Sequence, residues 1–410
     1  MKKLLTIILL SSMAITLAMA QEISPELLQK VQNGDAVAQT RVGDRYFEKK
    51  EYVHALEWYE KAAAQNNVDA ILQLIEIYEN GYGVTKDEKK GVEYEKKAAA
   101  LGNAKAQWYL GNTYNNGYGG EQQDYAKAVE WYRKAAEQGY ARAQNSLANC
   151  YYRGKGVTQD YAKAVEWYRK AAEQGYDWAQ YSLGYCYYNG KGVKMDLAKT
   201  VEWFRKSAEQ GNANSQHALG FCYLNGHGVT HDDAKAVEWF RKSAEQGYAT
   251  AQHYLGFCYK YGHGVPKDAA KAEEWYRKAA EQGNAESQNH LGYCYANGHG
   301  VPQDYAKAVE WYRKAAAQGE ANAKHNLPVA YHKLGDQKFK AERYTEAFTN
   351  LKLAAEDKNN PIPQAMTLLA GCYEYGYGTA VDLSKARYWR QEASKYNDED
   401  AKRALQILKQ

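Results

Sequence analysis

Large aromatic residues recur along this chain at a nearly fixed interval. The central slots, each 36 residues after the last, are Trp131, Trp167, Trp203, Trp239, Trp275 and Trp311. The same slot in the flanking segments, at intervals of 36 to 39 residues, is filled by Trp58, Tyr94, Asn350 and Trp389. Periods of roughly 20–50 residues are typical of solenoids and arrays, in which each repeat is one small supersecondary unit. The spacing therefore predicts about ten stacked units instead of a single globular core.

Each central unit contains two helical patterns. In residues 177–212 the first pattern ends at Asn189-Gly190-Lys191-Gly192, a typical helix stop. Its apolar stripe, at helical spacing, consists of Ala179, Leu183, Cys186 and Tyr187. In the preceding unit the second helix begins after Asp160, a favourable N-cap, and ends at Gly175. The repeating unit is therefore predicted to be a helix pair.

These phrases resemble the Sel-one-like repeat (SLR) family of the tetratricopeptide-like superfamily. The resemblance rests on the Leu-Gly-x-x-Tyr phrase at Leu183, the Gly-x-Gly-Val loop at Gly190, the capping Asp160 and the Ala-Val-Glu-Trp-Tyr helix around Trp167. It covers about residues 68–320 and 358–396, and it suggests an exported, bacterial-type member. The resemblance implies an all-α, right-handed α/α superhelix (solenoid) of about ten antiparallel helix pairs with a C-terminal capping helix.

The repeat register and the N-terminus suggest six segments. Two basic residues, an apolar run and Ala-Met-Ala before Gln21 are typical of a cleaved signal peptide, which predicts a periplasmic or secreted mature chain. The predicted segments are a signal peptide (1–20), an N-terminal helix with a tetratricopeptide-like unit (21–67), seven tandem Sel-one-like repeats (68–320), a tetratricopeptide-like unit (321–357), a final Sel-one-like repeat (358–396) and a capping helix (397–410). Seven extra residues before Gly335 include Pro328 and predict a bend or a break there.

One cysteine per repeat raises the question of disulfides, redox chemistry or metal binding. The six occupy one slot, which Ile77 and Thr113 fill in earlier units; they are Cys150, Cys186, Cys222, Cys258, Cys294 and Cys372. Equivalent positions on stacked helices lie about 8–10 Å apart, beyond the roughly 7 Å between Cα atoms that a disulfide allows. We expect buried, unpaired thiols that act as small apolar groups, with redox sensitivity as the alternative.

The Gly-x-Gly loops frame three histidines, which are His227, His263 and His299. No third glycine and no Gly-Lys-Ser/Thr ending follows, so a phosphate-binding loop is not indicated and the glycines are expected to turn the chain. The histidines lie on separate units about 10 Å apart, too far to share one metal ion. We expect no metal site and no cofactor.

Charge and motifs exclude several function classes. The net charge is +4 and the sequence contains no basic cluster, so a nucleic-acid-binding surface is not indicated. The chain lacks Ser-x-x-Lys, Lys-Thr-Gly and Gly-x-Ser-x-Gly, the motifs of serine enzymes. No segment after the first 20 residues is apolar enough to span a membrane. A protein without catalytic residues and without a membrane span in the mature chain is therefore expected.

The residues that differ between units lie on the face of the first helix opposite the apolar stripe. At 100° per residue the two faces are centred roughly 165° apart. In tetratricopeptide-like arrays this face lines the concave groove that holds a peptide or a partner helix, and the resemblance implies the same here. The predicted partner-binding residues are Trp108, Asn112, Asn145, Asn149, Tyr152, Trp178, Tyr181, Tyr185, Tyr188, His217, Phe221, His253, Phe257, Asn289 and Tyr293. The alternative is that neighbouring units bury this face, most readily at Phe221 and Phe257.

The sequence thus predicts a non-enzymatic protein–protein interaction scaffold of the cell envelope. Its partner would be a protein or peptide held in the concave groove. Two alternatives remain open at this point: an envelope protein that binds or hydrolyses β-lactams or peptidoglycan, and a glycan-binding module, because rows of Trp, Tyr and Asn also suit sugars.

Overall fold

The computed structural model describes residues 24–396, 398 and 402–403. Within them it contains 21 helices and no strand. In chain order the helices are α1 Pro25–Gln32, α2 Ala36–Glu48, α3 Tyr52–Ala64, α4 Val68–Asn80, α5 Glu88–Ala100, α6 Ala104–Asn116, α7 Tyr125–Glu137, α8 Ala141–Arg153, α9 Tyr161–Glu173, α10 Asp177–Asn189, α11 Leu197–Glu209, α12 Ala213–Asn225, α13 Asp233–Glu245, α14 Ala249–Tyr261, α15 Ala269–Glu281, α16 Ala285–Asn297, α17 Tyr305–Ala317, α18 Ala321–Lys340, α19 Tyr344–Ala355, α20 Pro363–Tyr375 and α21 Leu383–Ser394. The predicted signal peptide and most of the predicted capping helix lie outside the described residues.

The chain divides into two compact units, residues 1–203 (unit 1) and 204–410 (unit 2). In unit 1, α2 packs on α3, α4 on α5, α6 on α7 and α8 on α9, and each pair packs on the next. In unit 2 the same pairing joins α12 to α13, α14 to α15, α16 to α17, α18 to α19 and α20 to α21. The predicted all-α solenoid of helix pairs is confirmed. Over the described residues, no helix combines the length and the apolar character needed to cross a membrane.

The predicted apolar stripe forms the core between successive helices. Leu183, Cys186 and Tyr187 are buried on α10. The carboxylate of Asp160 accepts a hydrogen bond from the Lys163 backbone N–H at 3.0 Å and so caps α9, as predicted. These contacts confirm the helix boundaries that the sequence pattern indicated.

The tryptophan that recurs every 36 residues connects one helix pair to the next. Trp167 packs against two neighbouring core clusters, one around Leu147 and the other around Leu183. The ammonium group of Lys170 lies 4.0 Å above the indole ring and covers its outer face. The slot therefore serves packing between repeats, which explains its fixed period.

The second glycine of each Gly-x-Gly loop is a contact between repeats. Gly192 has φ +72°, and a Cβ built there would lie 2.2 Å from the carbonyl oxygen of Tyr161, the first residue of α9. Gly156 approaches Tyr125 at the start of α7 in the same way, at 2.1 Å. Only a residue without a side chain fits this approach and this backbone conformation together. The prediction that these glycines shape the chain is confirmed.

A ladder of glutamine side chains runs between helix pairs. Gln174 Nε2 donates to Gln144 Oε1 at 2.7 Å, and Gln144 Nε2 donates to the carbonyl oxygen of Ala136 at 3.1 Å. The arrangement recurs in unit 2, where Gln246 donates to Gln216 at 2.7 Å. Buried amides that are hydrogen-bonded at both ends fix the register between successive repeats, since a shifted register would leave them unsatisfied.

Of the two predicted outcomes near Pro328, the break in the superhelix is wrong, whereas the bend stays a prediction. Pro328 lies inside the continuous helix α18, which spans 20 residues. The extra residues of this repeat therefore lengthen its first helix. Proline removes one backbone hydrogen bond, but Pro328 is buried and α18 packs on both α17 and α19. Tertiary packing thus outweighs the local preference for a break.

Candidate binding surface on the first helices

In unit 1 the predicted surface is most open on α10. Trp178 and Tyr185 are 46% and 44% exposed. The ring centroids of Trp178 and Tyr181 are 6.5 Å apart in an edge-on arrangement, and those of Tyr181 and Tyr185 are 6.4 Å apart. Trp178, Tyr181 and Tyr185, here called the aromatic row, therefore share one helix face as predicted. Tyr188, the fourth predicted residue of this helix, is partly buried.

Two asparagines of the predicted surface are oriented by tyrosines of the second helices. The Tyr132 hydroxyl donates to Asn112 Oδ1 at 2.7 Å, and the Tyr168 hydroxyl donates to Asn149 Oδ1 at 2.7 Å. Burial raises the pKa of both tyrosines far above the usual value, so their hydroxyls stay protonated and can donate. These hydrogen bonds orient each amide with Oδ1 toward the tyrosine, which leaves the NH₂ group of each asparagine available to a ligand.

The other predicted residues of unit 1 contribute mainly to packing between helices. Trp108 is partly buried, and its Nε1 donates to Ser146 Oγ at 3.0 Å. The Oδ1 atom of Asn145 is buried and has no hydrogen-bond partner in the described part of the chain. The Tyr152 ring packs edge-on against Tyr161 at 5.0 Å. The open part of the face is therefore smaller than the sequence pattern indicated.

In unit 2 the same helix face is more closed. His253 and Asn289 are buried, with 6% and 8% of their surface exposed, so they pack between helices. Phe221 and Phe257, which the alternative expected to be buried most readily, are partly buried, like Trp108 and Tyr152 in unit 1. Tyr293 is 37% exposed, and the ammonium group of Lys260 lies 4.9 Å above its ring.

Three histidines lie among aromatic rings in the interior of unit 2. His253 and His290 have ring centroids 5.5 Å apart, and His290 stacks on Tyr276 at 4.8 Å. His217 packs against Tyr254 at 5.3 Å. Burial lowers the pKa of His217 and His253 to about 4 and that of His290 to about 3. These rings are therefore neutral at neutral pH.

A polar cavity in unit 1 includes two residues that the sequence pattern missed. It lies between α6 and α8, measures about 280 Å³, and Arg153 and Lys155 contribute to its wall beside Asn112 and Asn149. Arg153 ends α8 and Lys155 follows in the loop, so neither belongs to the helix-face pattern used for the prediction. The sequence did contain one sign of Arg153, because this position is an asparagine in most later repeats, at Asn189, Asn225 and Asn297.

A family model of the Sel1 repeat matches most of the chain. The matched segments are residues 36–67, 70–103, 104–140, 141–176, 179–212, 213–248, 249–284, 285–320 and 363–395. The chain belongs to the Sel1 repeat family. Residues 36–67, which lack the Gly-x-Gly insertion, are thus matched as well. Proteins of this family are generally non-enzymatic scaffolds for protein interactions.

Two solved structures share both fold and sequence with this Sel1 repeat protein. The first is c5321, a protective antigen of uropathogenic Escherichia coli strains with an SLR fold; it is 36% identical, with a TM-score of 0.65, and the match covers 93% of this chain and 89% of that one. The second is a Sel1 repeat protein from Oxalobacter formigenes, 34% identical with a TM-score of 0.58, over 73% of this chain and 88% of that one. A comparison with curated proteins finds no match.

The cysteines of these Sel1 repeats are packing residues, as predicted. All six are buried and unpaired. Burial raises their pKa to between about 11 and about 12, so the thiols are protonated at neutral pH. In the loops, His263 Nδ1 lies 3.2 Å from Asp233 Oδ2. Among the described residues, no group of three or more His, Cys, Asp or Glu side chains is arranged to hold a metal ion.

Proposed function

We propose that this protein is a non-enzymatic scaffold of the cell envelope that binds a protein or peptide through the exposed face of its first helices. The aromatic row carries this proposal. Trp178 and Tyr185 keep almost half of their surface exposed, whereas Trp108 and Tyr152 on the same face of neighbouring first helices are packed. Exposed Trp and Tyr side chains are the residue types that most often anchor protein interfaces.

The polar residues on the two first helices that precede the aromatic row suit a peptide ligand. The free NH₂ groups of Asn112 and Asn149 can donate hydrogen bonds to the backbone carbonyl oxygens of an extended chain. Fixed donors beside rigid aromatic anchors reduce the entropic cost of binding. The family's general role as an interaction scaffold supports the same conclusion. The proposed envelope location rests on the signal-like residues 1–20.

Affinity capture from a cell-envelope extract tests this proposal. The bait is residues 21–410, and the variant carries Trp178→Ala, Tyr181→Ala and Tyr185→Ala. A matched control removes three other exposed tyrosines, with the changes Tyr375→Ala, Tyr388→Ala and Tyr396→Ala. All three baits must show the same helical circular dichroism and melting behaviour.

We expect a partner that the parent and the control retain and that the aromatic-row variant binds at least about tenfold more weakly, as for interface anchors. Equal binding by both triple variants would contradict the proposed surface. A β-lactam hydrolysis assay on the same preparations tests the hydrolase alternative, for which we expect no activity above the buffer blank.

A further inference from the structure

The cavity between α6 and α8 presents hydrogen-bond donors and no acidic group. Within the described part of the chain, no carboxylate contributes to its wall. Its lining residues are Asn112, Asn115, Tyr132, Ser146, Asn149, Cys150, Arg153 and Lys155. We call this space, of about 280 Å³, the cationic cavity. Its volume is large enough for one polar side chain of a ligand.

Hydrogen bonds from behind the wall occupy the acceptor atoms of the cavity. Tyrosine hydroxyls donate to the Oδ1 atoms of Asn112 and Asn149, at 2.7 Å each. Trp108 Nε1 donates to Ser146 Oγ at 3.0 Å. Asn112, Ser146 and Asn149 are thereby held with an NH₂ group or a hydroxyl hydrogen free to donate. Asn115 differs, because its Nδ2 already donates to Asn116 Oδ1 at 2.8 Å. Three neutral side chains of the wall therefore offer donors to an anion.

The two cations of the cavity are not neutralised. Neither Arg153 nor Lys155 forms an ion pair with a carboxylate in the described residues, and the Lys155 ammonium contacts only the Tyr125 hydroxyl at 3.5 Å and its ring at 4.8 Å. Lys127 and Lys163, by contrast, pair with the capping aspartates at 3.6 and 3.3 Å. The thiol of Cys150 adds no negative charge, because burial raises its pKa to about 11. Two free cations beside oriented donors attract a carboxylate.

We infer that the cationic cavity is an anion subsite that holds an Asp or Glu side chain of the bound peptide, an inference that rests on the proposed function. The same helix face continues on both sides of the cavity, on α4 and on α10, so an internal side chain fits better than a chain end. First helices of adjacent repeats stand about 10 Å apart, which is close to three residues of extended peptide. The cavity lies between α6 and α8, about one and a half such spacings from α10, so the ligand places an acidic residue about four to five positions from a large apolar residue on the aromatic row.

Selection from a random dodecapeptide library tests this subsite. Peptides displayed through their C-termini offer acidic side chains but no free terminal carboxylate. The bait is residues 21–410, compared with an Arg153→Gln, Lys155→Gln double variant. The matched control, Lys127→Gln with Lys163→Gln, removes the same net charge from unit 1. Selected peptides are then synthesised as C-terminal amides. Each is compared with a second peptide in which Gln replaces Glu and Asn replaces Asp.

We expect the parent to select peptides enriched in Asp and Glu. These peptides should bind the double variant at least about tenfold more weakly than the parent, and the parent should bind the Gln and Asn versions at least about tenfold more weakly than the acidic ones. The charge-matched control should bind the acidic peptides like the parent. Their binding also weakens as salt is raised.

Three results would overturn the subsite. They are selected peptides without acidic enrichment, acidic peptides that bind the double variant as tightly as the parent, and equal weakening by the charge-matched control. If such peptides still lose affinity for the aromatic-row variant, the proposed function stands and only the subsite fails. A library without any binder, or binders that ignore the aromatic row, would contradict the proposed function itself.

Discussion

Replacing Gly192 with alanine tests whether the Gly-x-Gly loop is a contact between repeats. The new Cβ would lie 2.2 Å from the Tyr161 carbonyl oxygen, whereas ordinary carbon–oxygen contacts are about 3.3 Å or longer. Relieving such an overlap in a packed contact costs about 1–3 kcal/mol. The φ of +72° costs a non-glycine residue about 1 kcal/mol more. We therefore expect the variant to lose about 2–4 kcal/mol of unfolding free energy.

Gly175→Ala is the matched control in the same unit. Its φ is +88°, but no heavy atom lies within 4 Å of a Cβ built there, so only the conformational cost applies. For a unit of about 200 residues, 1 kcal/mol corresponds to roughly 2–4 °C in Tm. A difference of about 2 kcal/mol then predicts that Gly192→Ala melts about 4–8 °C below Gly175→Ala, measured by circular dichroism. Equal melting of the two variants would refute the reasoning.

Three further predictions concern buried titratable groups. Burial raises the pKa of Glu95 from 4.5 to about 7. As pH rises from 4.5 to about 7, the carboxyl group of Glu95 is ionised in the unfolded chain but still protonated in the folded one, so unit 1 loses about 3 kcal/mol of unfolding free energy. Urea unfolding at several pH values should show that this pH dependence of the unfolding free energy disappears in Glu95→Gln and persists in Glu93→Gln. An unchanged pH dependence in Glu95→Gln would contradict the assignment to Glu95. The buried histidines of unit 2 have pKa values below 6.5, so the unfolded chain binds protons first and the stability of unit 2 falls as pH falls from 6.5 toward 4. Amide protection factors in α12–α16, which correct for the pH dependence of the intrinsic exchange rate, should fall over the same range. His290→Gln should weaken this loss of protection, and a loss confined to unit 1 would count against it. The cysteine thiols are buried and protonated, so an aromatic disulfide reagent should leave the native chain essentially unmodified and titrate all six thiols in guanidinium; rapid native reaction would disprove their packing role.

The helix pairs could be predicted because their signals are local. The 3.6-residue stripe of Leu183, Cys186 and Tyr187 and the capping Asp160 specify a helix wherever they occur, and the structure has them buried and hydrogen-bonded as expected. Pro328 shows the limit of such signals. A proline locally favours a helix end, but the packing of α18 against its neighbours is a tertiary effect that no local pattern contains.

The candidate surface was only partly predictable. Helical phase correctly placed Trp178, Tyr181 and Tyr185 on one face, because phase depends on spacing alone. It could not separate exposed from covered positions, and His253 and Asn289 are buried by the adjoining helix pairs. The role of the cationic cavity depends on which acceptor atoms are already occupied, and this requires the hydrogen-bond directions of the folded chain.

Site-specific photocrosslinking in living cells tests the central claim most directly. A photoreactive phenylalanine analogue is placed at Tyr185 in the aromatic row or at Glu166, an exposed residue of the second helix α9. We predict cross-links to a protein partner from position 185, at least about tenfold stronger than from position 166 and lost when Trp178→Ala and Tyr181→Ala are added. Cross-links from position 166 alone, or cross-links from position 185 that persist in the doubly substituted chain, would contradict binding at the exposed face of the first helices.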